Sequence, residues 1–319
     1  MPYDKYPLLN REHLRTIPIE SRHSTVHAAD FARPVSPGAT MATWLDSLPR
    51  LMAGSDLREL VSRLTAIRQA EQPIVWGFGA HVIKVGLAPV IIDLMERGWI
   101  SAIAANGAFM IHDFEIALAG ATSEDVAAGL LHGTYGNTEE TGLFLNLAQR
   151  EGHKEGMGAG EAVGFYLNRT STRLAHAEAS VLYHAYRLHI PVTIHPAIGT
   201  DFIHFHPMFS GEVTGALAER DFTLLASIVA RMNAGGAFLN VGSAVILPEV
   251  FMKAIACCTG QGITFSGITT AVFDFVKHYR PTENVVRRPT GENGRGFYFV
   301  GHHELMVPLL AAALVHVPA

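Results

Sequence analysis

Apolar residues in this chain alternate between short unbroken runs and longer stretches of helical spacing, and the alternation is regular from Ile74 onward. Ile74-Val75-Trp76 and Ala102-Ile103-Ala104-Ala105 contain no polar positions. Strands are expected there, over 101–105 for the second, and again over 192–195, 237–241, 264–272 and 297–300. Strands without alternation are buried on both faces, which requires a parallel sheet covered by helices on each side. Helical spacing fills the intervals over 44–72, 82–97, 176–188, 220–232 and 248–258, with a terminal helix over 305–315. Thr122-Ser123-Glu124-Asp125 is an N-cap signature for a helix running to about Leu131, and Thr138 opens another through Ala148. The glycine-rich residues 151–160 read as a mobile loop and 275–295 as a long polar one. Residues 1–40, weakly periodic and proline-containing, read as an arm packed on the body or on a neighbour. The rest, 41–319, shows no internal repeat and reads as one α/β domain.

The expected strand ends carry glycine turns: Gly77-Phe78-Gly79-Ala80-His81, Asn106-Gly107-Ala108 and Gly242-Ser243-Ala244. Such turns bring backbone N–H groups and helix N-termini to one sheet edge, where open α/β folds bind nucleotides. Gly77-x-Gly79 lacks the third glycine of the dinucleotide fingerprint, so an ordinary strand-to-helix turn fits it equally well. Lys84 falls in the first turn of its helix, within reach of a phosphate or simply of water. His112-Asp113-Phe114-Glu115 is expected to open the helix after the second turn.

Composition narrows the class. The chain has 319 residues, 49% hydrophobic and only 17% charged, so some surface is expected to be covered by other subunits. A net charge of −5 with no basic block argues against a nucleic-acid partner. No run approaches the ~18 apolar residues of a membrane span, and Met1 to Lys5 carry no apolar leader core. Adjacent Cys257 and Cys258 are unsuited to bridging each other. A cytoplasmic protein without membrane contact is expected.

Among 17 histidines, His204 and His206 would share a face of an extended segment close to Asp201. That set suits either hydrogen bonding in a polar cleft or a metal-hydrolase site; without a third spaced ligand, no metal is expected. Asp113, Glu115, Asp274 and Glu283 lie at or just after expected strand ends, as bases, cation-binding groups or helix caps. Arg280, Arg287 and Arg288 could hold an anionic substituent.

The series Gly77 to His81, Ala105 to Ala108, Ile190-Pro191-Val192, Pro196-Ala197 with Thr200-Asp201, Ile268 to Ala271 and His302 to Ala311 resembles the deoxyhypusine synthase family, from about residue 70 to the end. The resemblance implies a Rossmann-like parallel sheet with helices on both faces, NAD as cofactor, and a homotetramer with shared active sites. It places Gly77 and Gly79 in the first cofactor loop, Asn106 and Gly107 in the second, and Gly242 and Ser243 in a glycine-rich turn. Thr270, Ala271 and His302 would complete the pocket, and Asp201 falls where the family has an acidic substrate-binding residue. The family forms an imine on a lysine in a Ser-Trp-Gly-Lys-like segment. Here the region reads Asn284-Val285-Val286-Arg287-Arg288-Pro289, and the family's paired histidines give way to Leu247-Pro248-Glu249. Arginine stays protonated and forms no imine.

The expected activity is therefore NAD-dependent hydride transfer on a small molecule. Asp201 or the His112-Asp113 pair would be the base, with Asp274 a further candidate and Lys84 on the cofactor. His204, His206, Glu283, Arg287 and Arg288 would contact the substrate. The alternatives are amine transfer from spermidine or a related polyamine, through Lys84 or without a covalent lysine, and a non-catalytic nucleotide-binding oligomer.

Overall fold

The computed structural model describes residues 2–291 and 293–316. Six strands form one sheet: β1 (Ile74–Phe78), β2 (Ala102–Asn106), β3 (Val192–His195), β4 (Ala237–Val241), β5 (Thr269–Asp274) and β6 (Arg295–Val300). Their order is β3-β2-β1-β4-β5-β6 and every pairing is parallel. Chain direction across the sheet reverses between β1 and β4, which opens a crevice at the strand C-termini. Side chains alternate between two cores as a pleated strand demands. Trp76, Phe78, Ile103, Leu239 and Phe273 face one, while Val75, Ala104, Phe238 and Val272 face the other.

The helices are α1 (Met41–Ser47), α2 (Met52–Gln69), α3 (His81–Lys84), α4 (Ala88–Glu96), α5 (Gly107–Ala119), α6 (Val126–His132), α7 (Glu139–Lys154) and α8 (Ala159–Thr170). After them come α9 (Val181–Arg187), α10 (Gly211–Ala230), α11 (Ile246–Gly260), the short turn α12 (Tyr279–Pro281) and α13 (His303–His316). None of the described helices is long and apolar enough to cross a membrane.

Several boundaries differ from the sequence reading. The helix expected over 82–97 is split into α3 and α4, because Gly86 takes φ +77° and a proline then starts the second piece. α5 begins at Gly107 rather than His112, since the Asn106 side chain caps it by accepting from Phe109 N–H (3.0 Å). Residues 151–160 are not a loop. They hold the end of α7, a turn at Gly156 (φ +68°) and the start of α8. The glycines there serve packing: a Cβ on Gly152 would lie 2.2 Å from that of Ala162. The polar segment 275–295 is largely helical, with α12 running into a π-helix over Thr282–Arg287. α10 starts well before 220, and Phe202–Phe205 is a 3-10 turn, so His204 and His206 do not share an extended face.

β3 is an edge strand, and Asp221 on α10 covers it. Its Oδ2 accepts from Ile194 N–H (2.8 Å) and also from Ala159 N–H (2.9 Å) and Gly160 N–H (3.3 Å) at the start of α8. Burial pushes the Asp221 carboxyl from 3.8 up to about 7, against the pull of those backbone bonds. The folded chain thus keeps a proton that the unfolded chain has already released, and this contribution to stability is lost as pH rises from about 4 to about 7. Urea midpoints of the protein and of Asp221→Asn, measured across that range, should shift steadily in favour of the variant as pH rises.

Residues 4–40 are almost wholly exposed. They meet the body at Arg33 N–H to Ser47 O (2.9 Å) and Arg50 N–H to Asp30 O (2.8 Å).

Candidate functional site

Every strand-to-helix connection at the C-terminal edge contributes to one of two half-sites flanking β1. On the β2–β3 side lies a cavity of about 170 Å³, lined by Lys84, His112, Glu115, Glu124, Thr200 and Asp201 among others. After β3 the chain makes a tight turn closed by Thr200 N–H to Ala197 O (3.0 Å), which delivers Asp201 to the start of α5. Glycine at 107 gives it room, because a Cβ there would lie 2.0 Å from Asp201 Oδ2 as it is seated. That oxygen is buried and has no hydrogen-bond partner among the described residues. Burial raises the Asp201 carboxyl to about 6, while the backbone at Ala197 pulls the other way. A buried carboxyl oxygen without a donor is costly unless a ligand supplies one.

Across the cavity, His112 Nδ1 meets Thr122 Oγ1 at 2.6 Å, and Thr122 donates in turn to Glu115. Thr141 donates to the second Glu115 oxygen (3.1 Å). Burial opposes ionisation of Glu115, but His112 and these hydroxyl donors outweigh it and hold the carboxyl below its usual range. Glu124 accepts from Gly136 N–H (2.9 Å).

On the β4–β6 side, Gly79 and Gly242 touch at the crevice. Gly79 N–H donates to Val241 O (2.9 Å), and a Cβ on Gly79 would lie 2.0 Å from Gly242 O. Gly242 itself takes φ +69°. Ser243 Oγ accepts from Leu247 N–H (3.1 Å) at the head of α11. His303, fully buried, donates from Nε2 to Phe273 O (3.1 Å), and its Nδ1 has no partner among the described residues. Its ring centroid lies 5.5 Å from that of His81 and 4.5 Å from that of Phe275. Burial first, then the neighbouring His303, lowers the His81 pKa. Phe275, Val276, Val300 and Leu305 are exposed around this edge. α3 joins the two half-sites, with Lys84 lining the cavity and His81 meeting the Phe275 ring edge to face (4.9 Å between centroids).

The structure thus brings Asp201, His112 and Lys84 together, with Asn106 and Gly107 forming the α5 start beside them. Gly79, Gly242, Ser243, Asp274 and His302 lie on the other half. Asp274 Oδ1 accepts from Phe275 N–H (2.8 Å), and the His302 ring is 5.3 Å from that of Phe275. His204 sits behind Asp201.

Other expected residues are elsewhere. Asp113 points into the core and caps α9, accepting from Val181 N–H (2.7 Å), Leu182 N–H (3.0 Å) and Ser180 Oγ (2.5 Å). Asp113→Ala would strand these buried donors and is expected to cost about 3 kcal/mol, with the cavity unchanged; urea unfolding measures it. Gly77 makes room for Phe238 and Leu247 within the sheet, a packing role rather than a cofactor contact. Thr270 and Ala271 are fully buried in the N-terminal half of β5, away from the crevice. His206 packs on Gly142 and takes Met208 N–H (3.1 Å). Glu283 pairs with Arg287 (3.0 Å), and Arg288 donates to Asn284 (2.7 Å). Asn284 Nδ2 donates to Glu249 (2.9 Å) in the first turn of α11, while the carbonyl of Val286 lies against Gly296 near the start of β6, so the segment runs along the sheet with these side chains paired to one another.

Glu124 escaped the sequence reading because its Thr-Ser-Glu-Asp motif signals a cap, which Asp125 indeed provides, to Ala128 N–H (3.1 Å). His303 and Asp221 gave no local signal. Among the described residues no group of three His, Cys, Asp or Glu side chains is placed to hold a metal ion.

No family model and no curated protein matches the chain. Solved structures do. A putative deoxyhypusine synthase from Entamoeba histolytica is 13% identical over 90% of this chain and 96% of its own, with a TM-score of 0.55. A conserved putative LOR/SDH protein from Methanococcus maripaludis S2 is 17% identical over 82% of this chain and 69% of its own, at 0.51. ArgZ, an arginine dihydrolase from the ornithine-ammonia cycle in Cyanobacteria, is 17% identical over 84% of this chain, at 0.50. The present chain spans only 34% of that protein's length. With a six-stranded parallel sheet flanked by helices and these structural likenesses, the chain has a deoxyhypusine synthase-like, Rossmann-like α/β fold.

Proposed function

We propose that this protein is an NAD-dependent enzyme acting by hydride transfer on a small, amine-bearing molecule. The observation that carries this reading is the buried, unpartnered Asp201 oxygen in a cavity beside the β1–β4 crevice. The crevice suits a dinucleotide. Gly79 and Gly242 leave bare backbone there, His303 Nδ1 is buried without a partner among the described residues, and Phe275 and Val300 offer exposed apolar surface to a flat ring. Gly79, Gly242, Ser243, Phe275 and His302 would hold it, with Lys84 reaching a phosphate from α3.

NAD bound there would supply the acceptor for a hydride leaving a substrate carbon. Glu115 and Glu124 draw an ammonium group into the cavity. Asp201, once ionised, takes the proton from the adjacent nitrogen as the carbon–nitrogen double bond forms, so charge and protons balance. The base must be anionic, so kcat/KM should rise as pH passes through about 6, where the Asp201 carboxyl titrates. The exposed apolar edge, together with Leu8, Leu9 and Ile19 of the arm, supports a homotetramer with shared sites, which light scattering would measure. The free thiols of Cys257 and Cys258 agree with a reducing, cytoplasmic setting. Incubation with NAD and a panel of small amines, followed by reduced-cofactor absorbance, tests the reading; no turnover of any amine by a protein that binds NAD would overturn it.

Lys84 supports a second reading. Its side chain lines the same cavity as Asp201, a place from which an amine could take up an aminobutyl group from spermidine or a related polyamine. Borohydride trapping with polyamine and NAD should then leave a mass adduct on Lys84, and none in Lys84→Arg.

A further inference from the structure

Asp201 is not isolated behind the cavity wall. It is the residue before the 3-10 turn Phe202–Phe205, where side chains three apart stack on one side. His204 Nε2 consequently lies 3.9 Å from Asp201 Oδ2, and both side chains are nearly inaccessible, 5% and 6% exposed. Each carries an orphan: Asp201 Oδ2 and His204 Nδ1 are buried without hydrogen-bond partners. The turn is fixed from two sides. His204 N–H donates to Asp201 O (3.0 Å), and Asn146 Nδ2 on α7 donates to Ile203 O (3.2 Å). The imidazole rests on the Phe209 ring, with centroids 4.9 Å apart. A residual gap of this size between two confined groups closes by rotation of the carboxyl or the ring alone, and catalytic hydrogen bonds are commonly long before substrate enters.

We propose that His204 is a positioning residue for Asp201, donating from Nε2 to Oδ2 and so turning the carboxylate toward the substrate in the cavity. This rests on reading Asp201 as the base. Burial lowers the His204 pKa, so the ring is neutral at neutral pH and carries one proton to donate. A donor on the carboxylate favours its anionic form, the form that takes a proton, and opposes the upward push of burial. The other titratable or charged groups facing this pair are Lys84 from α3, His112 and Glu115 from α5 and Glu124 from the loop before α6. His206 and, through Met208 O, Arg150 of α7 flank the segment on its far side. Among the described residues no other donor reaches Oδ2, so removal of His204 leaves the Ala197 backbone as the remaining support of the ionised form.

The test is a carbon-13 NMR titration of the intact protein labelled at aspartate carboxyls, with Asp201→Asn assigning the Asp201 signal. In His204→Phe the Asp201 midpoint should rise by about one pH unit, a tenfold gain in proton affinity. In His204→Gln, whose amide N–H extends about as far as Nε2, it should stay near that of the unmodified protein. His204→Asn keeps a polar amide but is too short to reach, so it should follow phenylalanine, and it serves if the larger ring disturbs the fold. An equal midpoint in all of these proteins would overturn the proposal. The titration needs neither cofactor nor substrate, so it can fail while hydride transfer stands, or hold while that reading falls. Where turnover is found, His204→Phe should lower kcat about tenfold with KM unchanged and move the acidic limb of the pH profile upward, while glutamine restores both.

Discussion

Asp201→Asn should lower turnover by about a thousandfold while leaving NAD affinity within a few-fold. The substitution keeps the volume of the side chain, so the tight seat against Gly107 and the turn from Ala197 survive. It replaces an oxygen that can take a proton with an amide that cannot. If Asp201 only filled space or capped α5, the isosteric amide would serve as well, and Asn106 already caps that helix. Steady-state kinetics against a calorimetric NAD titration separates these roles. Loss of turnover with retained cofactor binding marks a base, whereas unchanged turnover would pass the proton chemistry to His112.

Gly79→Ala is expected to be the most damaging single methyl in the molecule near the crevice. Its Cβ would stand 2.0 Å from Gly242 O and 2.8 Å from the carbonyl carbon, both backbone atoms that cannot move aside as a side chain can. The β1 and β4 loops would have to separate, breaking the Gly79 N–H bond to Val241 O. A loss of about 3 kcal/mol in urea unfolding follows, with NAD binding abolished at ligand concentrations that saturate the unmodified protein. Gly77→Ala is the control. Its Cβ would meet only side-chain atoms, Phe238 Cζ at 2.8 Å and Leu247 Cδ1 at 3.0 Å, which can repack. A cost of about 1 kcal/mol is expected, with binding retained.

The contrast between these glycines shows where sequence reasoning reached its limit. Strands 192–195 and 237–241 were legible to the residue, because Pro191 and Gly235-Gly236 punctuate their starts and neighbouring apolar residues such as Phe238 and Leu239 bury both faces, even with Thr193, His195 and Asn240 among them. The parallel sheet follows from that pattern. Helix ends were less legible, since glycine has several uses that look alike in sequence. Gly86 breaks a helix, Gly152 lets two helices touch, and Gly107 admits a carboxylate. The candidate site was legible where it hangs on strand ends, as with Gly79, Asn106, Gly242 and Asp201. It was not legible where function depends on which way a helix face turns. Asp113 and His112 are neighbours in sequence, yet one caps α9 inside the core and the other lines the cavity. Arg287 and Arg288 follow β5 in sequence, but the connection runs helically back along the sheet and pairs them with Glu283 and Asn284 of their own turn.

A calorimetric titration of the purified protein with NAD tests the account most directly. Saturable binding in the micromolar range at one site per chain, lost in Gly79→Ala and retained in Asp201→Asn, is the predicted result. Absence of heat and of any saturable signal at millimolar NAD, in a protein whose unfolding is cooperative, would contradict it.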